Sequence, residues 1–341
     1  MPNKIVTFGE IMLRLTPPNY LRFVQADSFD VTYGGGEANV AVSLANYGED
    51  AYFVTKVPDN PIGQSAINHL RRYGVHTDYV VKGGERLGIY FNEIGASQRP
   101  SLVVYDRAHS SIAESSPSDF DWEKILSGAK WFHFTGITPA LGDNTAQACL
   151  DAVKTAKNLG VTVSCDLNYR KKLWSTEKAG KVMTGLMEYV DVAIGNEEDA
   201  EKVFNIKAGT SDVTKGELSE EGYKDVARQL QEKFSLKGVA ITLRESFSAF
   251  DNGWSALYYD GKEYYKSRRY QIHIVDRVGG GDSFGGGLIY ALCNGYAPQD
   301  AVEFAVAASC LKHSIVGDFN HVTLKEVQTL AKGDASGRVQ R

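Results

Sequence analysis

Short β-branched runs alternate with amphipathic stretches of ten or more residues along most of this 341-residue chain, and that rhythm limits the fold more than any single motif does. Lys4–Phe8, Ala51–Val57, Trp131–Thr135, Val161–Asp166, Asp191–Ile194 and Gly238–Leu243 read as strands. Helical periodicity fills Glu37–Tyr47, Ile62–Tyr73, Asn144–Leu159, Glu177–Glu188, Tyr223–Phe234, Ser283–Asn294, Pro298–His313 and Leu324–Leu330. Parallel strands need long crossovers, and helices supply them, so the pattern predicts an α/β fold with helices on both faces of a parallel sheet. Two stretches break the rhythm. Ile11–Tyr33 and Leu87–Tyr105 read as strands without intervening helices, with alternation such as Ile89-Tyr90-Phe91-Asn92-Glu93-Ile94. They predict a small antiparallel sheet projecting from the main body. Lys207–Glu221 reads as a polar surface insertion and Gly333–Arg341 as a frayed tail.

Charge and cysteine usage exclude several classes of function. A net charge of −5 without a long basic cluster argues against a nucleic-acid partner. Cys149, Cys165, Cys293 and Cys310 sit in apolar surroundings with no CxxC spacing, and read as buried thiols in a reducing compartment. The N-terminal run Ile5-Val6-Thr7-Phe8 is strand-like rather than a signal peptide, and no apolar stretch is long enough to span a bilayer. The expectation is a cytoplasmic protein without membrane contact. At 43% hydrophobic and 23% charged, the chain can bury one large core or two moderate ones.

Chemistry enters at Asp276-Arg277-Val278-Gly279-Gly280-Gly281-Asp282, followed by Ser283-Phe284-Gly285-Gly286-Gly287. Glycines at 279 to 281 let backbone N–H groups converge, and the helix that starts there adds partial positive charge, a geometry suited to phosphate. A carboxylate at the mouth of an anion site repels phosphate, so binding alone does not explain Asp282. Removal of a proton from an attacking hydroxyl does. The plainer alternative is a glycine-rich turn with Asp282 as N-cap. No GxxxxGK[S/T] occurs, and Gly9-Glu10 follows the first strand without a GxGxxG turn, which excludes a Walker loop and counts against a dinucleotide-binding domain. A second glycine run, Gly34-Gly35-Gly36, precedes a helix carrying Asn39. Its backbone can approach a ligand closely and Asn39 can bond a sugar hydroxyl; alternatively the run is a tight turn with Asn39 solvated.

In order and spacing the two glycine runs resemble the two signatures of the PfkB (ribokinase-like) carbohydrate kinases, at Gly34–Gly48 and Asp276–Gly287, and the resemblance extends over almost the whole chain. It implies a three-layer α/β/α sandwich, one ribokinase-like domain over residues 1–332, with a small β-sheet lid from about 11–33 and 87–107. It also implies ATP, a divalent metal such as Mg²⁺, and phosphoryl transfer to a sugar hydroxyl. Asp282 falls on the family's catalytic base, and Gly279, Gly280 and Gly281 on its anion hole. Gly34, Gly35 and Asn39 fall on the sugar site. Asn168, Asn196, Thr242 and Arg244 fall on the nucleotide side, with Gly279 and Gly281.

Departures from the family pattern are specific. Arg277-Val278 replace the usual threonine pair, Gly280 replaces an alanine, and Arg244 replaces a glycine. The family's Asn-x-x-Glu motif appears as Asn196-Glu197-Glu198-Asp199, where Asp199 can still order metal-bound water; an acidic helix N-terminus would use the same residues. Tyr105-Asp106-Arg107 closes a lid strand, and Arg170 follows a core strand's C-terminal end, where open α/β sheets bind ligands. Arginine forks match carboxylates. With Tyr90 and Asp318, this pattern resembles the family branch acting on 2-keto-3-deoxygluconate, in which such residues bind the carboxylate and keto groups. The alternative for Arg107 and Arg170 is surface pairing with Asp106 and Asp166. Beside a sugar-acid kinase stand a fructokinase or other neutral-sugar kinase and, less favoured, a non-catalytic sugar sensor. The exposed face of a lid also invites pairing with a second copy.

Overall fold

The computed structural model describes residues 1–207 and 220–335. Most of the expected insertion and tail therefore lie outside the described residues. The strands are Lys4–Phe8 (β1), Met12–Thr16 (β2), Asp30–Gly34 (β3), Asp50–Val57 (β4), Val80–Lys82 (β5), Gly88–Glu93 (β6) and Leu102–Asp106 (β7). They continue with Trp131–Thr135 (β8), Thr162–Asp166 (β9), Val192–Gly195 (β10), Gly238–Ser246 (β11), Asp251–Tyr259 (β12), Tyr264–Lys266 (β13) and Tyr270–His273 (β14). The helices are Gly36–Asn46 (α1), Pro61–Arg72 (α2), Trp122–Leu126 (α3), Ile137–Ala140 (α4), Asp143–Asn158 (α5) and Thr176–Met187 (α6). Glu197–Phe204 (α7), Glu220–Phe234 (α8), Gly280–Cys293 (α9), Pro298–Lys312 (α10) and Leu324–Ala331 (α11) complete the set.

The main sheet runs β13-β12-β11-β10-β9-β8-β1-β4-β5, with β14 also paired to β12. From β11 to β5 every pairing is parallel. The pairings of β12 with β11, β13 and β14 are antiparallel, so the sheet is mixed at one edge rather than wholly parallel as expected. Alternating strand residues feed two cores. Ile5 joins side chains of α1, α2, α9, α10 and α11, whereas Val6 and Phe8 join those of α3, α5, α6, α7 and α8. The result is a three-layer sandwich.

The two irregular stretches form a separate sheet ordered β3-β2-β6-β7. Its central pair β2/β6 is parallel, a correction to the antiparallel sheet expected; β2/β3 and β6/β7 are antiparallel. Strand parity divides its faces. Met12, Arg14 and Thr16 are buried on one side of β2, while Leu13 and Leu15 lie half-buried on the other. Val31, Leu15, Phe91 and Val104 are aligned across the four strands on that second side. Among the described residues no helix is long and apolar enough to cross a membrane.

Candidate active site

A cavity of about 480 Å³ opens where the C-terminal ends of β9, β10 and β11 meet the N-termini of α1 and α9, with β6 and β7 of the small sheet also lining it. Gly35, Asn39, Tyr90, Tyr105, Arg107, Asn168, Arg170, Asn196, Asp199, Thr242, Arg244, Gly279, Gly281, Asp282 and Asp318 all line it. Residues from both glycine runs and both arginine segments thus share one space. Gly34 and Gly280 stand behind its wall: a side chain at Gly34 would collide with the Asp318 carboxylate, and one at Gly280 with the His313 ring.

The glycine loop works through one position. Gly279 holds φ +83°, the left-handed region that glycine adopts freely, and a Cβ there would run into the Asp318 carbonyl oxygen. Gly279 is also the N-cap of α9, so Asp282 is not the cap but lies within the first turn. The Gly280 N–H points back to the Arg277 carbonyl at 3.4 Å. Gly281 and Asp282 follow in the first turn, where an α-helix leaves backbone donors without intrahelical partners. A Cβ at Gly281 would meet nothing within 4 Å, so no backbone turn depends on that glycine.

The Asp282 carboxylate accepts a hydrogen bond from Asn39 Nδ2 at 2.6 Å. Burial pushes its pKa up to about 6, with the Asn39 bond opposing and the Asp318 charge adding to the rise. Asn39 is itself buried, and its Oδ1 accepts the Gly35 N–H at 3.3 Å, so neither polar group is left to solvent as the alternative had it. A carboxylate with a near-neutral pKa, facing a cavity beside helix-end donors, can accept a proton from a bound hydroxyl.

Sequence reasoning named Tyr90 and Asp318 as sugar contacts but missed the charged network that joins them behind this loop. Arg14 on β2, 1% exposed, donates from Nη2 to Asp276 at 2.6 Å and from Nη1 to Asp318 at 2.7 Å. Tyr90 Oη completes the arrangement by donating to Asp318 Oδ2 at 2.5 Å. Asp276 accepts the N–H groups of Val278 and Gly317, pinning the loop at both its neighbours. Buried Lys312 donates to the Ile315 carbonyl at 3.1 Å, and burial lowers its pKa against the pull of Asp276 and Asp318. The available signal was the parity of β2, which turns Arg14 to the same side as Met12 and Thr16.

The two expected carboxylate-binding arginines differ. Arg107 donates from Nε to Glu10 at 2.8 Å and also from Nη2, while Asp106 is paired with Arg86, so the anticipated Arg107–Asp106 pairing does not form. Arg170 is exposed, donates to the Tyr169 carbonyl at 3.1 Å and forms no ion pair among the described residues. It therefore makes no direct pair with Asp166, although its charge opposes the rise that burial, Asp199 and Asp282 impose on the Asp166 carboxyl. Asp199 closes a capping box with Asn196 and also accepts the Tyr169 N–H at 2.9 Å, and burial raises it to about 6. Among the described residues no cluster of three or more His, Cys, Asp or Glu could hold a metal ion. Trp254 Nε1 and Asn252 Oδ1, on two other lining residues, are buried without a partner.

Residues 2–320, which supply every residue named above as lining the cavity, match the model of the pfkB family carbohydrate kinases. The chain belongs to that family and is a sugar kinase. A crystal structure of 2-dehydro-3-deoxygluconokinase from Thermotoga maritima is similar with TM-score 0.94 and 58% identity, covering 97% of this chain and 100% of that one. The 2-dehydro-3-deoxygalactonokinase of Haloferax volcanii is 31% identical over 337 residues, 99% of each chain. The 5-dehydro-2-deoxygluconokinase of Clostridium perfringens is 26% identical over 311 residues, 90% of this chain and 86% of the relative.

Proposed function

We propose that this kinase uses ATP to phosphorylate 2-keto-3-deoxy-D-gluconate at its terminal hydroxyl, giving 2-keto-3-deoxy-6-phosphogluconate. The observation that carries the reading is one cavity lined by a buried carboxylate of raised pKa together with two arginines and two tyrosines. Asp282 takes the hydroxyl proton, and of the Gly279–Gly281 amides those of Gly279 and Gly281, with the Asp282 N–H beside them, stabilise charge on the transferring phosphoryl, the Gly280 N–H being turned to the Arg277 carbonyl. Arg107, Arg170, Tyr105 and Tyr90 hold the sugar acid, with Gly34, Gly35, Asn39 and Asp318 shaping the wall around it. The 58%-identical relative named for the same compound supports this substrate.

Asn168, Asn196, Thr242 and Arg244 line the cavity and are assigned to the nucleotide. A Mg²⁺ ion, which would neutralise phosphate charge, fits oxygen donors such as Asp166 and Asp199 acting through water, since it binds few carboxylates and keeps much of its hydration. The aligned apolar row on the outer lid face supports pairing with a second copy, and light scattering would read a dimer or a monomer.

Release of ADP should be measured with 2-keto-3-deoxygluconate, its C4 epimer 2-keto-3-deoxygalactonate, 5-keto-2-deoxygluconate and fructose. The highest kcat/KM is expected for 2-keto-3-deoxygluconate. Preference for fructose would overturn the sugar-acid assignment, and no ADP with any sugar would leave the sensor reading standing.

A further inference from the structure

Glu10 follows β1 at the sheet's ligand-binding end and is 2% exposed. Its Oε2 accepts both Nε and Nη2 of Arg107, and its Oε1 accepts Ser110 Oγ at 2.7 Å. Arg107 nevertheless lines the cavity, with its charged group 5.3 Å from the centre of the Tyr105 ring. A guanidinium has three nitrogens in one plane, so fixing the Nε/Nη2 edge also fixes where Nη1 points. Nη1 bonds to no acceptor among the described residues and remains for a ligand.

The charges divide in the same way. Glu10 and Arg107 sum to zero, so of the two arginines assigned to the sugar acid only exposed Arg170, which has no ion pair among the described residues, brings a positive charge without a carboxylate at hydrogen-bond distance. A sugar acid brings one negative charge. We infer that Glu10 is a specificity-determining, positioning residue: it aims Arg107 and cancels its charge, so that the site recognises a single carboxylate by donor geometry rather than by excess positive potential. This inference rests on the carboxylate reading proposed above. It implies two separable effects of Glu10, one on ground-state attraction and one on alignment: losing the charge tightens sugar-acid binding, whereas losing the alignment slows turnover.

The test compares Glu10→Gln, Glu10→Asp and the wild type with 2-keto-3-deoxygluconate and fructose, together with calorimetric binding of 2-keto-3-deoxygluconate without nucleotide. Glutamine keeps an acceptor for Arg107 but removes the negative charge. Both KM and Kd for the sugar acid should then fall by roughly 3- to 30-fold, the worth of one added charge a few ångströms away in a partly screened site. At the same time kcat should fall by about 10-fold, because a neutral acceptor holds the arginine's aim less firmly than a carboxylate. Aspartate keeps the charge but shortens the reach, so kcat should fall without tighter binding, which also guards against a glutamine variant that folds poorly. Fructose constants should move little in either variant. Unchanged sugar-acid binding in Glu10→Gln, or equal losses on both sugars, would overturn the inference and leave the pair a structural one. A wild type that binds fructose better would instead remove the carboxylate reading on which it stands.

Discussion

Replacing Arg14 by methionine tests whether the lid really carries the counter-charge for the glycine loop. The guanidinium is 1% exposed and serves Asp276 and Asp318, whose side chains are 2% and 3% exposed. Methionine fills much of the volume and leaves both carboxylates without a cation at hydrogen-bond distance. Asp276 keeps two backbone N–H groups, and Asp318 keeps Tyr90. Removing one partner of a buried pair typically costs about 3–5 kcal/mol, a large part of the ~5–15 kcal/mol that holds a domain folded. The loss should depend on pH with a definite sign. Burial already raises the Asp318 pKa against the opposing charge of Arg14, so without that cation Asp318 lies further above its unfolded value of about 4; it favours the folded state at low pH and opposes it as pH rises. Urea unfolding followed by circular dichroism at pH 8 and pH 5.5 should therefore show the larger deficit at pH 8, shrinking by up to about 1.4 kcal/mol per pH unit. A loss below about 1 kcal/mol, equal at both pH values, would match a solvent-exposed pair and refute the buried network.

Two further outcomes follow from the site. Because Asp282 must be ionised to accept a proton and burial raises it to about 6, kcat/KM should be level above that pH and fall tenfold per unit below it; a flat profile down to pH 5 would contradict the assignment. Arg107→Ala and Arg170→Ala should each lower kcat/KM for 2-keto-3-deoxygluconate by roughly 30-fold or more, in line with ~2–5 kcal/mol for a truncated charge pair, while fructose turnover changes little; equal losses on both sugars would assign the arginines to the fold or the nucleotide.

Periodicity made the core legible. The strands Lys4–Phe8 and Trp131–Thr135 have the bounds read from the sequence, and the long helices differ by a residue or so at their ends, except for the earlier starts of α8 at Glu220 and α9 at Gly280. The antiparallel edge was missed because β12 is buried almost throughout, which erases the alternation that marks a half-exposed strand. The parallel β2/β6 pair was missed because the crossover from Thr16 to Gly88 passes through α1, β4 and α2, and no local signal reports such a pairing. Glycine chemistry made the loop and Asp282 readable, since backbone at Gly279 admits few other residues. Arg14 and Glu10 were hidden for the opposite reason. Their partners lie 262, 304 and 97 residues away, and beyond the strand parity that turns Arg14 inward nothing near either residue announces them.

The central claim is that Asp282 takes the proton from the acceptor hydroxyl, and single-turnover phosphoryl transfer by Asp282→Asn measures it most directly. Asparagine retains the size of the side chain and a bond to Asn39 but cannot accept the proton. The rate with 2-keto-3-deoxygluconate should fall by ~10²–10⁴-fold while ATP affinity stays near the wild-type value. A variant that transfers phosphoryl at close to the wild-type rate would contradict the account.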